Sequence, residues 1–262
     1  MPGAESAGAD FPQQPGTTAM IRVDCLCKKF GDVVAINNVS FTAEDGRVTA
    51  LLGPNGAGKS TTLRILSAVL RADSGSALIN GHDIAMTPDL VRACIGVLPH
   101  NAGVYARLSA RENIRYYGRL QGLSGDSLEH RIDHLLDQLE MRPFADRRTL
   151  GFSQGQKVKV ALARALVHDP KHVLLDEPTN GLDVMATRAL RDIVHGLRAA
   201  GCCVLFSSHI MQEVENLCDD VVIIGGGQVR YAGTLGDLRI AAGTADLEEA
   251  FVIVAGLQDT TA

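Results

Sequence analysis

Eight consecutive residues, Gly53, Pro54, Asn55, Gly56, Ala57, Gly58, Lys59 and Ser60, read GPNGAGKS and fit the spacing GxxxxGK[ST]. The apolar run VTALL leads into them and a helix-like stretch, GKSTTLRILSAVL, follows. In that context glycines let backbone N–H groups curl around the β-phosphate of a nucleotide. Lys59 reaches the β- and γ-phosphates, and the Ser60 hydroxyl is an oxygen ligand for Mg²⁺. Thr61 continues the loop. The chemistry expected is capture of a nucleoside triphosphate with Mg²⁺.

A second stretch, HVLLDEPTNGLD, carries the complementary half. An apolar run ends in Asp176 and Glu177, where the carboxyl edge of an open α/β sheet presents ligand-binding groups. Asp176 is expected to hold Mg²⁺ together with Ser60. Glu177, one residue further, is placed to polarise an attacking water while the metal and Lys59 manage the phosphate charge.

A third stretch, GFSQGQKVKVALARAL from Gly151 to Leu166, has the form of another glycine-punctuated helix start, which offers free N–H groups to an anion. No apolar strand leads into it. One chain therefore carries two anion-binding entrances about a hundred residues apart.

The elements that must position these residues follow from periodicity. Between residues 20 and 101 short β-rich runs alternate with turns, among them MIRVDCL, NVSFTA, SALIN and ACIGVLP. From about 104 to 170 the period becomes helical. SARENIRYYGRL opens with Ser109 and has Glu112 three residues on, a capping box. DSLEHRIDHLLDQLE sets Leu128, Ile132, Leu135, Leu136 and Leu139 on one face. Strand signals return at HVLLDE and CCVLFSSH around the helical ATRALRDIVHGLRAAG, a β-α-β alternation that implies a parallel sheet. DVVIIGGGQVRYAG reads as a hairpin, followed by a short polar helix or two and a frayed end.

The chain has 262 residues, 46% hydrophobic and 21% charged, which suits a folded α/β protein. Its formal charge of −5 disfavours a nucleic-acid partner. The longest apolar runs, such as FVIVAGL, are far shorter than the roughly 20 residues of a bilayer span. Residues 1–19 lack both the charge and the apolar middle of a signal peptide and read as a disordered tail. The six cysteines form no CxxC and read as small buried hydrophobes of a reducing compartment, with the adjacent Cys202 and Cys203 in a buried strand. His130 and His134 lie one helical turn apart without a third ligand, and no metal site is expected of them.

The P-loop, FSQGQ, LLDEP, GLD and SSH, in this order, resemble the ATP-binding cassette of ABC transporters over about residues 20–233. The resemblance implies an α/β fold: a P-loop NTPase core with a mostly parallel sheet, an antiparallel β subdomain and an inserted helical subdomain. The cassette is placed at 20–240, its helical subdomain at about 104–170, and a short tail at 241–262. It also explains the second entrance. In that family the signature turn closes over the nucleotide held by a second cassette, so Ser153, Gly155 and Gln156 are implied to face the partner's ATP in a head-to-tail homodimer. Gln154 replaces the motif's first glycine on the solvent side of the turn. His209 matches the histidine that contacts the γ-phosphate, Phe30 the aromatic that stacks on adenine, and Asp183 the loop that communicates across the dimer. His100 ends the strand IGVLP where the family usually has a glutamine near metal and water; a pH-sensitive coupling is the expectation.

An ATPase without a span must pass its motion to another molecule. A single cassette with a short tail resembles the nucleotide-binding subunit of a bacterial exporter, bound at the cytoplasmic side of the membrane to a separate permease. The block GVYARLSARENIRYYGRLQGL, with FSSHIMQEVENLCD, resembles the sodium-extrusion type. Export of drugs or other small molecules stays open. So does a soluble cassette ATPase of iron–sulfur assembly, translation or repair, which a neighbouring permease gene would discount.

Overall fold

The structure is a computed structural model and describes residues 21–256. The reading of residues 1–19 as a tail, and the end of the 241–262 segment, lie outside the described residues.

The chain opens with an antiparallel pair, β1 (Ile21–Phe30) and β2 (Val33–Ala43), then β3 (Val48–Leu52) and the P-loop helix α1 (Lys59–Leu66). β4 (Ser74–Ile79), β5 (His82–Asp83), α2 (Pro88–Cys94) and β6 (Ile95–Leu98) follow. The helical segment comprises α3 (Ala110–Leu120), α4 (Gly125–Gln138), a 3₁₀ turn at Arg142–Phe144 and α5 (Gln154–Leu166). The chain then alternates through β7 (His172–Asp176), α6 (Val184–Ala199), β8 (Cys203–Ser208), α7 (Met211–Leu217), β9 (Asp220–Gly225) and β10 (Gln228–Thr234). It closes on α8 (Leu235–Ala242) and α9 (Leu247–Ala255).

Two sheets form, an antiparallel one in the order β2-β1-β4-β5 and a larger one in the order β10-β9-β3-β8-β7-β6. The larger sheet is parallel from β9 to β6, and β10 returns antiparallel at its edge. β3 and β7 are buried along their whole length, because helices or the second sheet cover both faces. Alternate residues therefore serve different cores. Val48, Ala50 and Leu52 join the cluster that includes the helical segment, while Leu51 joins the cluster with α1 and the antiparallel sheet.

Local chemistry explains the helix limits. Ser109 accepts the Glu112 N–H while Glu112 accepts the Ser109 N–H, the capping box expected at the start of α3. Leu128, Ile132, Leu135 and Leu136 of α4 are all buried, and so is Leu139 just past its end. α5 starts at a capping box of its own, in which Ser153 accepts the Gln156 N–H and Gln156 accepts the Ser153 N–H.

Three readings change. The last helix is not polar: α9 buries Leu247, Ala250, Phe251 and Ala255, so the FVIV run docks on the core. Cys25 is exposed, because β1 shifts register there and the residue turns through φ 51°. Cys202 is buried but precedes its strand, which starts at Cys203. α2 escaped the periodicity reading since seven residues complete less than two turns beyond a Pro88 start. Among the described residues no helix is long and apolar enough to cross a membrane.

Candidate active site

The P-loop joins the buried end of β3 to α1. Its path requires glycine at two points. A Cβ on Gly58, which has φ 107°, would lie 2.6 Å from the Ala35 carbonyl oxygen of β2. A Cβ on Gly53 would lie 2.2 Å from the Ile224 carbonyl oxygen of β9. The loop is thus squeezed between a strand of each sheet, and within it Asn55 and Gly56 are exposed.

Lys59 is 4% exposed, and its ammonium donates to the carbonyl oxygens of Gly53 at 2.8 Å and Pro54 at 3.1 Å. Burial lowers its pKa, and the negative charges of Glu177 and Asp176 oppose that shift. Ser60 Oγ donates to Asp176 Oδ1 at 2.9 Å. The hydroxyl and the carboxylate bring only oxygen donors to one point, the ligand type a hard cation such as Mg²⁺ accepts.

Asp176 ends β7, and Glu177 leaves the strand through a left-handed turn with φ 48°. That turn carries the Glu177 carboxylate among three nitrogens. Oε1 lies 3.3 Å from His209 Nδ1 and 3.8 Å from Lys59 Nζ, and Oε2 lies 3.5 Å from His100 Nδ1. One open groove results, lined by the P-loop from Asn55 to Thr61, by Ala35 and by Glu177. The arrangement can hold a polyphosphate on backbone N–H groups and an ammonium, with a carboxylate beside it able to take a proton from water.

The sequence reading thus brought Lys59, Ser60, Asp176, Glu177, His100 and His209 to one place. It missed Ala35, which reaches the groove from β2, and Ser207, whose hydroxyl donates to Asp176 Oδ1 at 2.7 Å. SSH drew notice only for its histidine.

The remaining expected residues stand apart. Ser153 caps α5: its Oγ accepts the Gln156 N–H at 3.2 Å, and Gln156 Oε1 accepts the Ser153 N–H at 3.0 Å. A Cβ on Gly155 would lie 3.2 Å from the Ala186 Cβ, so α5 abuts the start of α6. Asp183 caps α6 by accepting the Ala186 N–H at 2.8 Å. Ser153 and Gln154 are exposed, and none of Ser153, Gly155, Gln156 or Asp183 lines the P-loop groove of the same chain. Phe30, at the end of β1, is half exposed with the Lys28 ammonium 5.6 Å from its ring centroid.

Comparison with known proteins gives the family of the chain. The family profile described as ABC transporter matches residues 36–180. The ABC transporter ATP-binding protein NatA of Bacillus subtilis is 41% identical over 238 residues, covering 89% of this chain and 97% of that protein. A Nod factor export ATP-binding protein of Cupriavidus pinatubonensis is 34% identical over 224 residues, covering 86% of this chain and 69% of its own. A solved ATP-binding subunit of an ABC transporter superposes with a TM-score of 0.83 at 32% identity, over 90% of this chain and 99% of that one.

Proposed function

The chain belongs to the ABC transporter family, as an ATP-hydrolysing, ATP-binding subunit of the exporter type, and from that premise we propose how its residues share the work. The P-loop from Gly53 to Thr61 and Lys59 bind the phosphates, Phe30 offers a face for adenine, and Ser60 with Asp176 would hold Mg²⁺. Bound there, the metal supplies charge neutralisation at the phosphates. Glu177 is the base that takes a proton from the attacking water, and His209, in contact with it, keeps the carboxylate directed at the γ-phosphate position.

The observation that carries this reading is the separation of the two entrances. Lys59, His100 and His209 converge on the carboxylate of Glu177 at the P-loop groove, while Ser153, Gly155 and Gln156 take no part in lining it. ABC ATP-binding subunits act as dimers, and a second copy turned head to tail brings its signature turn to this groove. The helical part, about 104–170, is then the subdomain that delivers it. Closure on ATP and reopening on phosphate release drive a separate permease from the cytoplasmic face of the membrane, and the cargo proposed is Na⁺, after the resemblance to the sodium-extrusion type.

Mixed dimers test the shared site. Chains with Lys59→Ala and chains with Ser153→Arg are each expected to be inactive, and mixing them in equal amounts gives mixed dimers with one intact composite site each and up to about a quarter of the parental turnover. A mixture as inactive as its components would refute the shared site. Na⁺ accumulation in inverted vesicles carrying the co-purifying membrane protein tests the cargo; doxorubicin accumulation without Na⁺ would move it to the drug class.

A further inference from the structure

Ser207, near the end of β8, touches both acidic residues of the groove although no role has been given to it. It is fully buried. Its Oγ–H is donated to Asp176 Oδ1 at 2.7 Å, and the same oxygen accepts the backbone N–H of Glu177 at 2.9 Å. A serine hydroxyl has one proton to give, so its orientation is fixed by these two partners.

The sheet dictates the contact. Asp176 of β7 and Ser207 of β8 are paired in parallel register, and paired residues project from the same face. That face is also the one on which α1 packs, so Ser60 reaches Asp176 Oδ1 from the other side. Asp176 Oδ1 thus sits between two hydroxyls. Glu177 then turns through φ 48°, a conformation that a β-carbon disfavours. Its N–H is what Ser207 accepts. Without that acceptor the buried donor loses its partner and the turn loses the bond that holds it.

We propose that Ser207 is a positioning residue for hydrolysis: its one hydroxyl, oriented by its donation to Asp176 Oδ1, fixes the left-handed turn that aims the Glu177 carboxylate. This rests on Glu177 being the base. An alanine at 207 leaves the P-loop untouched, so ATP binding is retained while the carboxylate drifts. Misplacement on the ångström scale costs about a hundredfold in rate when geometry is lost completely.

The test is ATP hydrolysis and nucleotide binding by the full-length chain. Ser207→Ala is expected to lower kcat by about ten- to a hundredfold while the affinity for MgATP changes by less than about threefold. In a Glu177→Gln background the same substitution is expected to lower turnover no further, since the group it aims is already gone. Ser207→Thr keeps the hydroxyl and is expected to recover most of the rate, which guards against an alanine variant that fails to fold. Near-parental kcat in Ser207→Ala, a loss confined to ATP affinity, or an additional loss in the Glu177→Gln background would each overturn the proposal. A threonine variant that melts like the parent yet is as slow as alanine overturns it too. Normal turnover by Glu177→Gln alone would sink the base assignment itself, a distinct result.

Discussion

His209 Nδ1 lies 3.3 Å from Glu177 Oε1, so the imidazole that follows β8 is in contact with the carboxylate that follows β7. The two strands are neighbours in register, which brings both loops to the same edge of the sheet. Glu177→Gln preserves the shape and removes the proton acceptor. We expect it to bind MgATP normally, to accumulate as a dimer and to hydrolyse at least about a hundredfold more slowly. Phosphate release and sedimentation measure both properties, and near-normal turnover would exclude Glu177 as the base.

His100 faces the other oxygen of the same carboxylate, 3.5 Å away. Lys59 and His209 also face Glu177, so three cationic or titratable nitrogens share it. His100 is thus one of the groups that hold the carboxylate in place. His100→Ala removes that contact and is expected to lower kcat by about three- to tenfold while the affinity for MgATP is kept. His100→Gln returns a polar amide beside the carboxylate and is expected to recover most of the rate. A parental kcat in His100→Ala would remove His100 from the positioning of Glu177.

Gly53 tests the packing of the P-loop apart from its chemistry. A methyl group here meets the Ile224 carbonyl oxygen of β9 at 2.2 Å, which forces the loop from the sheet. Gly53→Ala is expected to cost about 1–3 kcal/mol of stability by overpacking and to weaken ATP binding. Thermal melting with and without MgATP reports both; an unshifted melting temperature would show that the loop has room.

His172 opens β7 and is fully buried, with Nδ1 at 3.3 Å from the Cys94 carbonyl oxygen and no partner on Nε2. Burial lowers its pKa and that of His168, below the ordinary imidazole value. The folded chain thus holds these rings neutral, and the unfolded chain binds protons first as the pH falls. Their contribution is complete above about pH 6.5 and is lost as the pH descends toward the folded-state values, at no more than about 1.4 kcal/mol per pH unit for each ring. The melting temperature should drop between pH 7.5 and 5.5, and less steeply in His172→Gln. Parallel curves would show that His172 is not the source.

Much of this site is written in contiguous residues. The P-loop was legible because phosphates are gripped by the backbone of one short run, whose glycines and lysine have fixed spacing. That β7 and β8 run parallel was legible because a stretch of helical period separates the apolar runs HVLLD and CVLFSS, a β-α-β alternation. α9 was misread as polar because its helical period is masked by LEE at its start, and only docking shows which side of FVIV is covered.

Sequence alone determined the P-loop, the adjacent carboxylates Asp176 and Glu177 at the end of an apolar strand, and a second glycine-punctuated helix start, since each resides in a local pattern. Tertiary structure decided which groups share the Glu177 carboxylate, that Ser207 bridges it to Asp176 across 31 residues of chain, and that Ser153 caps its own helix away from the groove. The physical reason is range. Backbone cradles and strand periodicity act between near neighbours, whereas sheet register and helix packing join residues whose separation along the chain carries no signal of contact.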